Sequence, residues 1–411
     1  MKQTLKKIIP PVAIDCARHI LSVAGVMAEN IPKEARLFSD PEKQIFFGYY
    51  DISPICEEDR YLLANAAPKE NISPHDKNPE LELGYYDLHQ ENPEFVPFAK
   101  TVTWNWQQAA RLQWITQEDS KKKCVIYNTL EDGAYAAVIQ DVLSGEVVRR
   151  FALPVYAVSR DGRFALSLDF DRLHDCRPGY GYNHFPKGER EDVIRSIDLS
   201  SGEGKIIMTM DALKEFAPHP SMQGANHYFN HLSISPAGTR YMVTHLWVSP
   251  EGKRYSRLIV SDPKRKDVFI CPNNSGHTSH YAWKGDDAVL IFCTVKGEGQ
   301  RYRLYDIDTR QYTLIAQGKI KEDGHPTWVG QSKMLTDTYP NLLRLQNLLL
   351  YDTSGDDLLK LASFHVPRSF TGEVRCDLHP RINNSGTMAC VDIVRNNRRA
   401  LCVLNISDKG E

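Results

Sequence analysis

The chain has 411 residues, of which 42% are apolar and 25% are charged, the composition of a globular protein. Its formal net charge is −2, so no overall basic field would attract nucleic acid, and no apolar run reaches the ~18 residues that cross a bilayer. Nine cysteines stand singly, without a CxxC pair, which predicts reduced thiols and a cytoplasmic protein.

Residues 1–33 precede the repeated part of the chain and are predicted to be a separate amphipathic extension. Two prolines and an acidic residue interrupt any signal-peptide core, which again favours the cytoplasm. Lys6, Lys7 and Arg18, with the apolar residues between them, predict a short helix that lies either on an anionic membrane or on the domain itself. The protein is therefore predicted to be cytoplasmic, and peripheral to the inner membrane if this helix binds lipid.

Residues 34–411 contain seven similar units with a period of ~40–60 residues. Each unit begins with an apolar residue that leads into a turn, and a β run follows in most of them. In many units a third run then ends in an acidic residue and a turn. The units begin at residues 45, 107, 154, 228, 277, 323 and 376. This period, with four strands in each unit, predicts an all-β fold, a seven-bladed β-propeller.

The ring of blades is predicted to close through an N-terminal strand. The last unit has three evident strands, and the segment EARLFSD, at residues 34–40, is expected to supply the fourth. Long insertions are expected between the second and third strands of the first, third and sixth units. Beyond the extension, only MDALKEFA, at residues 210–217, is predicted to be helical.

Histidine recurs at one register of the repeat. The first strand of each blade lines the channel of a propeller, so equivalent positions form a ring. That position is occupied, in chain order, by Tyr49, Arg111, Val155, His231, His280, His325 and His379. Three nearby imidazoles with an open position describe a catalytic metal site, whereas the alternative is a polar lining that binds water. Four histidines in register favour a metal or catalytic site.

Other candidates lie close to this register. Asp377, two residues before His379, is predicted either to bind a metal or to orient an imidazole. The insertions of the third and sixth units should open on the same face as the ring. They would bring near it Arg177, Tyr180, Tyr182, His184 and Arg344. No GxSxG, Walker loop or dinucleotide fingerprint is present in the sequence.

The stretches NHLSISPAGTRYMVTHLW, SHYAWKGDDAVLIF and DLHPRINNSG resemble the channel blades of the oligogalacturonate lyase family. That family consists of seven-bladed propellers that cleave uronic-acid oligosaccharides by β-elimination with a metal held by histidines. The resemblance implies that His280 and His379 bind the metal and that His231 is the base. Where the family has a glutamine and an HPHP stretch, this chain has RCDLHP. Asp377 thus replaces one imidazole, and His325 is expected to supply the missing ligand.

The predicted function is a metal-dependent lyase that cleaves a uronic-acid-containing oligo- or polysaccharide by β-elimination in the channel. A divalent metal, manganese or zinc, and an arginine would bind the uronate carboxylate. His231 would then remove the proton next to that carboxylate, and Tyr182 or water would protonate the leaving oxygen. The candidate arginines are Arg177, Arg344 and Arg375.

Two other classes of function remain open. One is a propeller that binds a glycan or a protein partner without catalysis. The other is an enzyme of cell-surface polysaccharide assembly on the cytoplasmic side, because MKQTLKKIIPPVAIDCARHIL resembles the membrane-associating starts of some bacterial sugar-modifying enzymes. The predicted partner of a catalytic protein is an acidic oligo- or polysaccharide, with no role for nucleic acid.

Overall fold

In the computed structural model, 28 strands form seven four-stranded antiparallel sheets, arranged as the blades of a propeller. The structure describes residues 11–68, 79–116, 122–185, 190–262, 267–271 and 276–407. Of the three predicted insertions, that of blade 6 lies within these ranges, that of blade 3 lies within them except for residues 186–189, and most of that of blade 1 lies outside them. The predicted all-β, seven-bladed fold is confirmed.

The first four blades take their strands in chain order. Blade 1 contains β2 (Lys43–Phe46), β3 (Tyr61–Pro68), β4 (Leu81–Asp87) and β5 (Val96–Thr101). Blade 2 contains β6 (Gln113–Trp114), β7 (Cys124–Glu131), β8 (Ala134–Asp141) and β9 (Val147–Phe151). Blade 3 contains β10 (Ala157–Val158), β11 (Phe164–Ser167), β12 (Val193–Asp198) and β13 (Gly204–Thr209). Blade 4 contains β14 (Asn226–Ile234), β15 (Tyr241–Val248), β16 (Arg254–Asp262) and β17 (Asp267–Ile270).

The last three blades complete the ring. Blade 5 contains β18 (Thr278–Lys284), β19 (Ala288–Val295), β20 (Gly299–Asp306) and β21 (Tyr312–Ile315). Blade 6 contains β22 (Thr327–Val329), β23 (Lys333–Asp337), β24 (Leu345–Asp352) and β25 (Asp357–His365). Blade 7 contains β26 (Arg381–Ile382), β27 (Met388–Arg395), β28 (Arg398–Asn405) and, as its outer strand, β1 (Arg36–Phe38).

Closure through the N-terminal strand is confirmed. β1 runs antiparallel to β28, with Arg36 opposite Val403 and Phe38 opposite Leu401. The outer edge of blade 7 is thereby paired by a distant part of the chain, which removes an open sheet edge. The core lies between the blades, and the inner strands are covered on both faces. In β3, for example, every residue but the last is buried.

Three α-helices accompany the blades in the described part of the chain. α1 spans Pro11–Met27, α2 spans Phe170–Cys176 and α3 spans Met210–Glu215. The helix predicted at MDALKEFA is confirmed as α3, but the expectation that it is the only helix beyond the extension is wrong. α2 begins because the Asp169 side chain accepts the Arg172 backbone N–H at 2.8 Å. At seven residues, α2 is too short to give a helical period.

No helix among the described residues is both long enough and apolar enough to cross a membrane.

Two buried histidines form a hydrogen-bonded pair in blade 4, away from the ring positions. His227 on β14 and His245 on β15 meet with Nδ1 and Nε2 at 2.9 Å, and the Arg257 Nε–H donates to His245 Nδ1 at 3.1 Å. Burial, followed by the charges of Arg257, His227 and Lys214, lowers the pKa of His245 to about 2. Burial also lowers the pKa of His227. Both imidazoles are therefore neutral in the folded protein.

This pair predicts that the folded protein loses stability as the pH falls below ~6.5, the ordinary histidine pKa. In that range the unfolded chain binds protons that the folded chain does not, at a cost of up to ~1.4 kcal/mol per pH unit for each histidine. His245→Gln should flatten the pH dependence of the free energy of unfolding, measured by denaturant titration between pH 7 and about 4.5. His89→Gln, at an exposed turn, is the matched control. Equal pH dependence in both variants would contradict the prediction.

Candidate functional site

The backbone is unusual where the ring residues stand. Arg111, His231 and His379 have φ values of 55°, 53° and 45°, in the left-handed region that non-glycine residues seldom adopt. In blades 4 and 5, β-bulges interrupt the pairing of the first strand around His231 and His280. Bulges and left-handed residues re-aim side chains and concentrate at functional sites. The repeated register thus carries a locally strained backbone in several blades.

Gly48, next to the ring residue of blade 1, holds one of these side chains. Its φ of 128° favours glycine, and its carbonyl oxygen accepts hydrogen bonds from His379 Nδ1 at 2.8 Å and Arg381 Nη1 at 2.9 Å. Arg381 is also paired with the buried Asp392, whose carboxylate accepts the Gly48 N–H at 3.2 Å. The orientation of His379 is therefore fixed by blade 1.

Three buried residues form a group that can hold a metal: His325, Asp377 and His379. One ligand atom from each lies within 4.8 Å of the other two. His325 Nδ1 is 2.9 Å from an Asp337 oxygen, while His379 Nδ1 bonds to Gly48. Because both partners accept hydrogen bonds, each imidazole carries its hydrogen on Nδ1 and its lone pair on Nε2. Within the described residues, both Nε2 atoms are buried without a hydrogen-bond partner.

These donors fit a divalent metal ion. Two imidazole nitrogens and a carboxylate oxygen are ligands that both zinc and manganese accept. A buried polar atom without a partner is costly, and a bound cation would satisfy both lone pairs of the group at once. The chemistry of the group is therefore that of a metal site with open positions.

Asp337, at the end of β23, orients two members of the group. Its carboxylate accepts the backbone N–H of His325 at 2.7 Å and that of His379 at 3.2 Å, in addition to the His325 side chain. Burial opposes a charged imidazole, yet the Asp337 carboxylate raises the pKa of His325 above its ordinary value. Burial, reinforced by His325, holds the pKa of His379 well below the ordinary value. Asp337 makes His325 the more basic ligand of the two.

His280 stands beside the group in a similar arrangement. Its ring centroid is 4.1 Å from that of His325, and its Nδ1 is 3.1 Å from an Asp323 oxygen. The described geometry does not place His280 within the 4.8 Å group, although its Nδ1 is engaged by a carboxylate as in His325. The predicted ligands His280, His325, His379 and Asp377 thus lie together, three of them more tightly than the fourth.

His231 lies across Tyr49 from this group. The His231 and Tyr49 rings stack with centroids 4.8 Å apart, and the Tyr49 ring meets that of His379 edge-on at 4.9 Å. The Asn230 amide nitrogen, which can only donate, is 3.1 Å from His231 Nε2 and assigns the lone pair to that atom. Burial, followed by the charge of Arg177, holds the pKa of His231 well below its ordinary value. His231 is therefore a neutral imidazole.

A cavity of about 440 Å³ reaches the ring from the face where the first strands end. Tyr49, Tyr50, His231 and Tyr281 line its inner end. The hydroxyl of Tyr50 donates to the Tyr281 carbonyl oxygen at 2.9 Å, and the Tyr281 hydroxyl donates to the His231 carbonyl oxygen. These phenols fix the bulged backbone that carries His231.

Two arginines meet at the hydroxyl of Tyr180. Arg375 Nη2 donates to it at 2.5 Å and Arg177 Nη2 at 3.4 Å, while the Arg177 guanidinium lies 4.3 Å from the centre of the Tyr180 ring. The same ring meets the His231 ring edge-on, with centroids 5.4 Å apart. Arg375 Nε also donates to Asp377 at 2.6 Å. Tyr180 therefore links the His231 side of the site to the metal-binding group.

Tyr182 occupies a different environment, although it is only two residues away. Its side chain is fully buried, its hydroxyl is 2.8 Å from Asn128 Nδ2, and its ring stacks on Phe170 of α2 at 4.3 Å. The contacts of Tyr182 are thus those of a core residue. Its predicted catalytic role stays a prediction.

Arg344 is occupied by the backbone. Its guanidinium donates to the carbonyl oxygens of Val366, Pro367 and Phe370 at 3.1–3.4 Å. The loop between blades 6 and 7 is held in this way. A role of Arg344 in binding a carboxylate stays a prediction, whereas Arg177 and Arg375 are placed beside Tyr180 and Asp377.

Sequence reasoning missed three residues of the site. Asp323 stands two residues before His325, in a DGHP stretch that the sequence does not distinguish from a tight turn. Asp337 ends the second strand of the same blade, where only the fold shows that it faces the ring. Tyr339 belongs to the insertion of blade 6, and its ring centroid is 5.7 Å from that of His325.

Comparisons with known proteins bear on the fold of this site. No family model and no curated protein sequence matches the chain. An oligogalacturonate lyase in complex with manganese aligns with a TM-score of 0.62 and 13% identity, over 93% of this chain and 99% of that chain. The chain shares the fold of oligogalacturonate lyase. The oligogalacturonate lyase of Vibrio parahaemolyticus aligns with a TM-score of 0.58 and 12% identity, over 93% and 100% of the two chains.

The likeness to oligogalacturonate lyase extends over nearly the whole of both chains, so it includes all seven blades. TolB from Acinetobacter baumannii aligns with a TM-score of 0.41 and 15% identity, over 75% of this chain. The chain spans 64% of that TolB, less than two thirds of its length. At 12–13% identity, the alignments with the two oligogalacturonate lyases show a shared fold and no more than that.

Proposed function

We propose that the protein is a metal-dependent polysaccharide lyase that cleaves a uronic-acid-containing glycan by β-elimination. The observation that supports this most directly is the pair of buried, unpartnered Nε2 atoms of His325 and His379 beside the Asp377 carboxylate. A neutral imidazole, His231, stands across one tyrosine from them. Manganese in the oligogalacturonate lyase of the same fold supports a divalent cation, manganese or zinc.

In this proposal His325, His379 and Asp377 hold the metal, and His280 is a further ligand from the neighbouring blade. A divalent cation at this position supplies positive charge that stabilises the uronate carboxylate as electron density builds up on it. The chain keeps the ligands in place through Asp337, Asp323 and the Gly48 carbonyl oxygen.

Arg177 and Arg375 are the proposed carboxylate-binding arginines. Both guanidiniums donate to the Tyr180 hydroxyl, and Arg375 also donates to Asp377. Each arginine therefore contacts a residue that takes part in the proposed reaction. A guanidinium binds a carboxylate with two parallel hydrogen bonds and thereby fixes the sugar ring. Arg344 is a weaker candidate because its hydrogen bonds in the described residues go to the backbone of the loop between blades 6 and 7, and none goes to Tyr180 or Asp377.

His231 is the proposed base. Its lowered pKa keeps the imidazole unprotonated over the whole neutral range, and Nε2, which carries the lone pair, is the atom that would accept the proton. It would remove the proton from the carbon next to the carboxylate, and the electron pair of that bond would form the carbon–carbon double bond. The glycosidic oxygen would then leave from the adjacent carbon and take up a proton.

Tyr180 is the proposed donor of that proton. Two guanidiniums donate to its oxygen, so they stabilise the negative charge that appears when the phenol gives up its hydrogen. Its ring touches that of His231, which brings donor and base to one substrate. Tyr182, with its hydroxyl on Asn128, has no comparable electrostatic support.

One experiment tests the proposed function. The metal content of untagged protein is measured by elemental analysis, and the protein is then assayed on a panel of acidic polysaccharides for the ultraviolet absorbance of unsaturated uronates. Stoichiometric metal and a rise in absorbance on at least one uronate polymer are the expected results. Absence of metal, with no turnover in added manganese or zinc, would leave the histidines as the polar lining of a binding propeller.

A pair of tyrosine variants distinguishes the two candidates for the acid. Tyr180→Phe is expected to lower turnover by ~10²–10³-fold, because one proton transfer loses its donor. Tyr182→Phe should leave turnover near the wild-type value and lower only the stability, since it removes a buried hydrogen bond to Asn128. Both variants keep their rings, and kcat on the most active polymer is the measurement. The opposite pattern would assign the acid to Tyr182.

A further inference from the structure

Arg257, on β16, is a buried cation without a carboxylate partner. It is 4% exposed, and its guanidinium donates to the carbonyl oxygens of Ala217 at 2.8 Å and Leu213 at 2.7 Å. These oxygens accept hydrogen bonds but carry no full charge. Burial lowers the pKa of Arg257 to about 10, and within the part of the chain that the structure describes no acidic side chain pairs with it to oppose that effect. A buried charge is costly unless an opposite charge lies nearby, so the charge of Arg257 lacks its counter-charge.

The two histidines of blade 4 connect this cation to the surface. The Arg257 Nε–H donates to His245 Nδ1, so His245 has its hydrogen on Nε2 and donates from there to His227 Nδ1. His227 therefore has its own hydrogen on Nε2. That N–H reaches the Met222 carbonyl oxygen only at an N···O distance of 3.3 Å, beyond the ~2.7–3.2 Å of most N–H···O bonds. The chain of hydrogen bonds thus begins at the buried cation and ends in a donor with only a weak acceptor among the described residues, and hydrogen bonds in such chains polarise one another.

A cavity of about 420 Å³ lies at this end of the chain of hydrogen bonds, in the segment that joins blades 3 and 4. His227 and Met222 are its buried lining residues. The remaining lining residues are exposed: Lys214, Pro218, His219, Pro220 and Gln223. Lys214, His219 and Gln223 can each donate a hydrogen bond. The lining has no acidic residue among those that the structure describes, so the cavity offers donors and no negative charge.

The charges around the cavity favour a ligand with one negative charge. Burial lowers the pKa of His227, and the cations that lower it as well are Lys214, Arg257 and Arg172. Lys214 lies 2.9 Å from Asp211, and Arg172 lies 3.1 Å from Asp192, so these two cations already have a carboxylate each. Arg257 is the one of the three that has none in the described residues. A single uncompensated charge matches a carboxylate better than a phosphate group, which carries about −1.5 to −2 at pH 7.

We propose that this cavity binds the carboxylate group of an organic acid, which accepts the Nε2–H of His227 and supplies the negative charge that Arg257 lacks. Lys214 and Gln223, at the rim, would donate to the second carboxylate oxygen. The volume of the cavity is that of a small-molecule site, so the carboxylate belongs either to a free organic acid or to a uronate unit. The site contains none of the proposed metal ligands or acid–base residues, and it therefore does not depend on the lyase proposal.

Nuclear magnetic resonance of the full chain, labelled with ¹⁵N-histidine, tests the site without reference to metal or turnover. The Nε2–H signal of His227, identified by its loss in His227→Gln, should shift when galacturonate or acetate is added. Galactose has no carboxylate and should leave the signal unchanged. Tighter binding of galacturonate than of acetate would assign the site to a uronate unit, and equal affinity would assign it to a free organic acid. No shift with either acid, or tighter binding of inorganic phosphate than of both, would overturn the proposal.

Substitutions of the cations separate the effect of charge from that of packing. Arg257→Gln should raise the Kd of galacturonate by about tenfold, whereas Arg257→Lys keeps the charge and should stay within about threefold of the wild type. Lys214→Gln, at an exposed position where folding is not at risk, should raise the Kd by about threefold. Lys205→Gln, an exposed lysine 3.8 Å from Glu203 on the outer strand of blade 3, is the matched control and should bind as the wild type does. Equal affinity in Lys214→Gln and Lys205→Gln, or in Arg257→Gln and the wild type, would contradict the assignment.

Discussion

Replacement of His231 by Ala or Gln is expected to lower turnover by ~10²–10⁴-fold while the metal content stays that of the wild type. The loss follows from the removal of the proposed base. The metal is retained because His231 is separated by Tyr49 from the group of His325, Asp377 and His379. Turnover of uronate polymers and elemental analysis of the same preparation measure the two effects together.

The two substitutions at His231 control for each other. Gln keeps most of the volume of the imidazole and can still hydrogen-bond, so it preserves the packing against Tyr49, whereas Ala leaves a gap. A base role predicts that both variants lose activity to a similar degree. Recovery of activity in His231→Gln would mean that the residue acts by packing, and unchanged turnover in both variants would remove His231 from the mechanism.

The pH profile gives an independent signature of this base. Burial and the charge of Arg177 lower the pKa of His231, so kcat/KM, which reports on the free enzyme, should decline on the acid side only below ~6.5. Once a uronate carboxylate binds Arg177, that charge is partly neutralised and the pKa of His231 rises. The acid limb of kcat should therefore lie at a higher pH than that of kcat/KM. The reverse order of the two limbs would contradict this assignment.

The repeat explains why so much of the ring could be predicted. A propeller places equivalent residues of successive blades around one axis, so the register read from the sequence carries three-dimensional information. His280, His325 and His379 belong to three separate blades. The ring centroid of His325 lies 4.1 Å from that of His280 and 4.4 Å from that of His379. The closing strand was predictable for the same reason, because the last unit lacked one strand.

The parts outside the repeat could not be predicted in this way. Tyr180 and Tyr182 lie in the insertion of blade 3, where no register says which of them faces the channel. The path of the chain is set there by α2, since Phe170 stacks on Tyr182 and thereby keeps Tyr182 in the core. Tyr180 is left beside His231. A helix of seven residues gives too little periodicity to reveal this choice.

The carboxylates that orient the histidines were missed for a different reason. Asp323 bonds to His280, 43 residues away, and Asp337 bonds to His325, 12 residues away. The way in which blades and strands pack in space determines which carboxylate meets which imidazole, and no local spacing in the sequence encodes it. The sequence could name the imidazoles, but it could not say which carboxylate would fix each tautomer.

Replacement of either His325 or His379 by Ala is expected to reduce the metal content below detection and to abolish turnover. Each substitution removes one of the two buried Nε2 lone pairs, so the tight group keeps only one nitrogen and the Asp377 oxygen. His280 lies outside that group and cannot replace the missing ligand at its position. His280→Ala should retain metal at reduced affinity, since His280 lies outside the tight group. Elemental analysis after dialysis and titration of the metal-depleted protein with manganese or zinc are the measurements.

Two isosteric substitutions, Asp337→Asn and Asp323→Asn, compare the contributions of His325 and His280 to metal binding. Neither substitution removes a proposed metal ligand. Asp337 contacts the His325 side chain and the backbone of both His325 and His379, whereas Asp323 contacts only His280 among the ring histidines by hydrogen bond in the described residues. An amide cannot raise the basicity of an imidazole as a carboxylate does, so Asp337→Asn should weaken metal binding by ~10–100-fold. The loss in Asp323→Asn should be smaller. A larger loss in Asp323→Asn would make His280 the principal ligand and would displace the centre of the site from blades 6 and 7 toward blade 5.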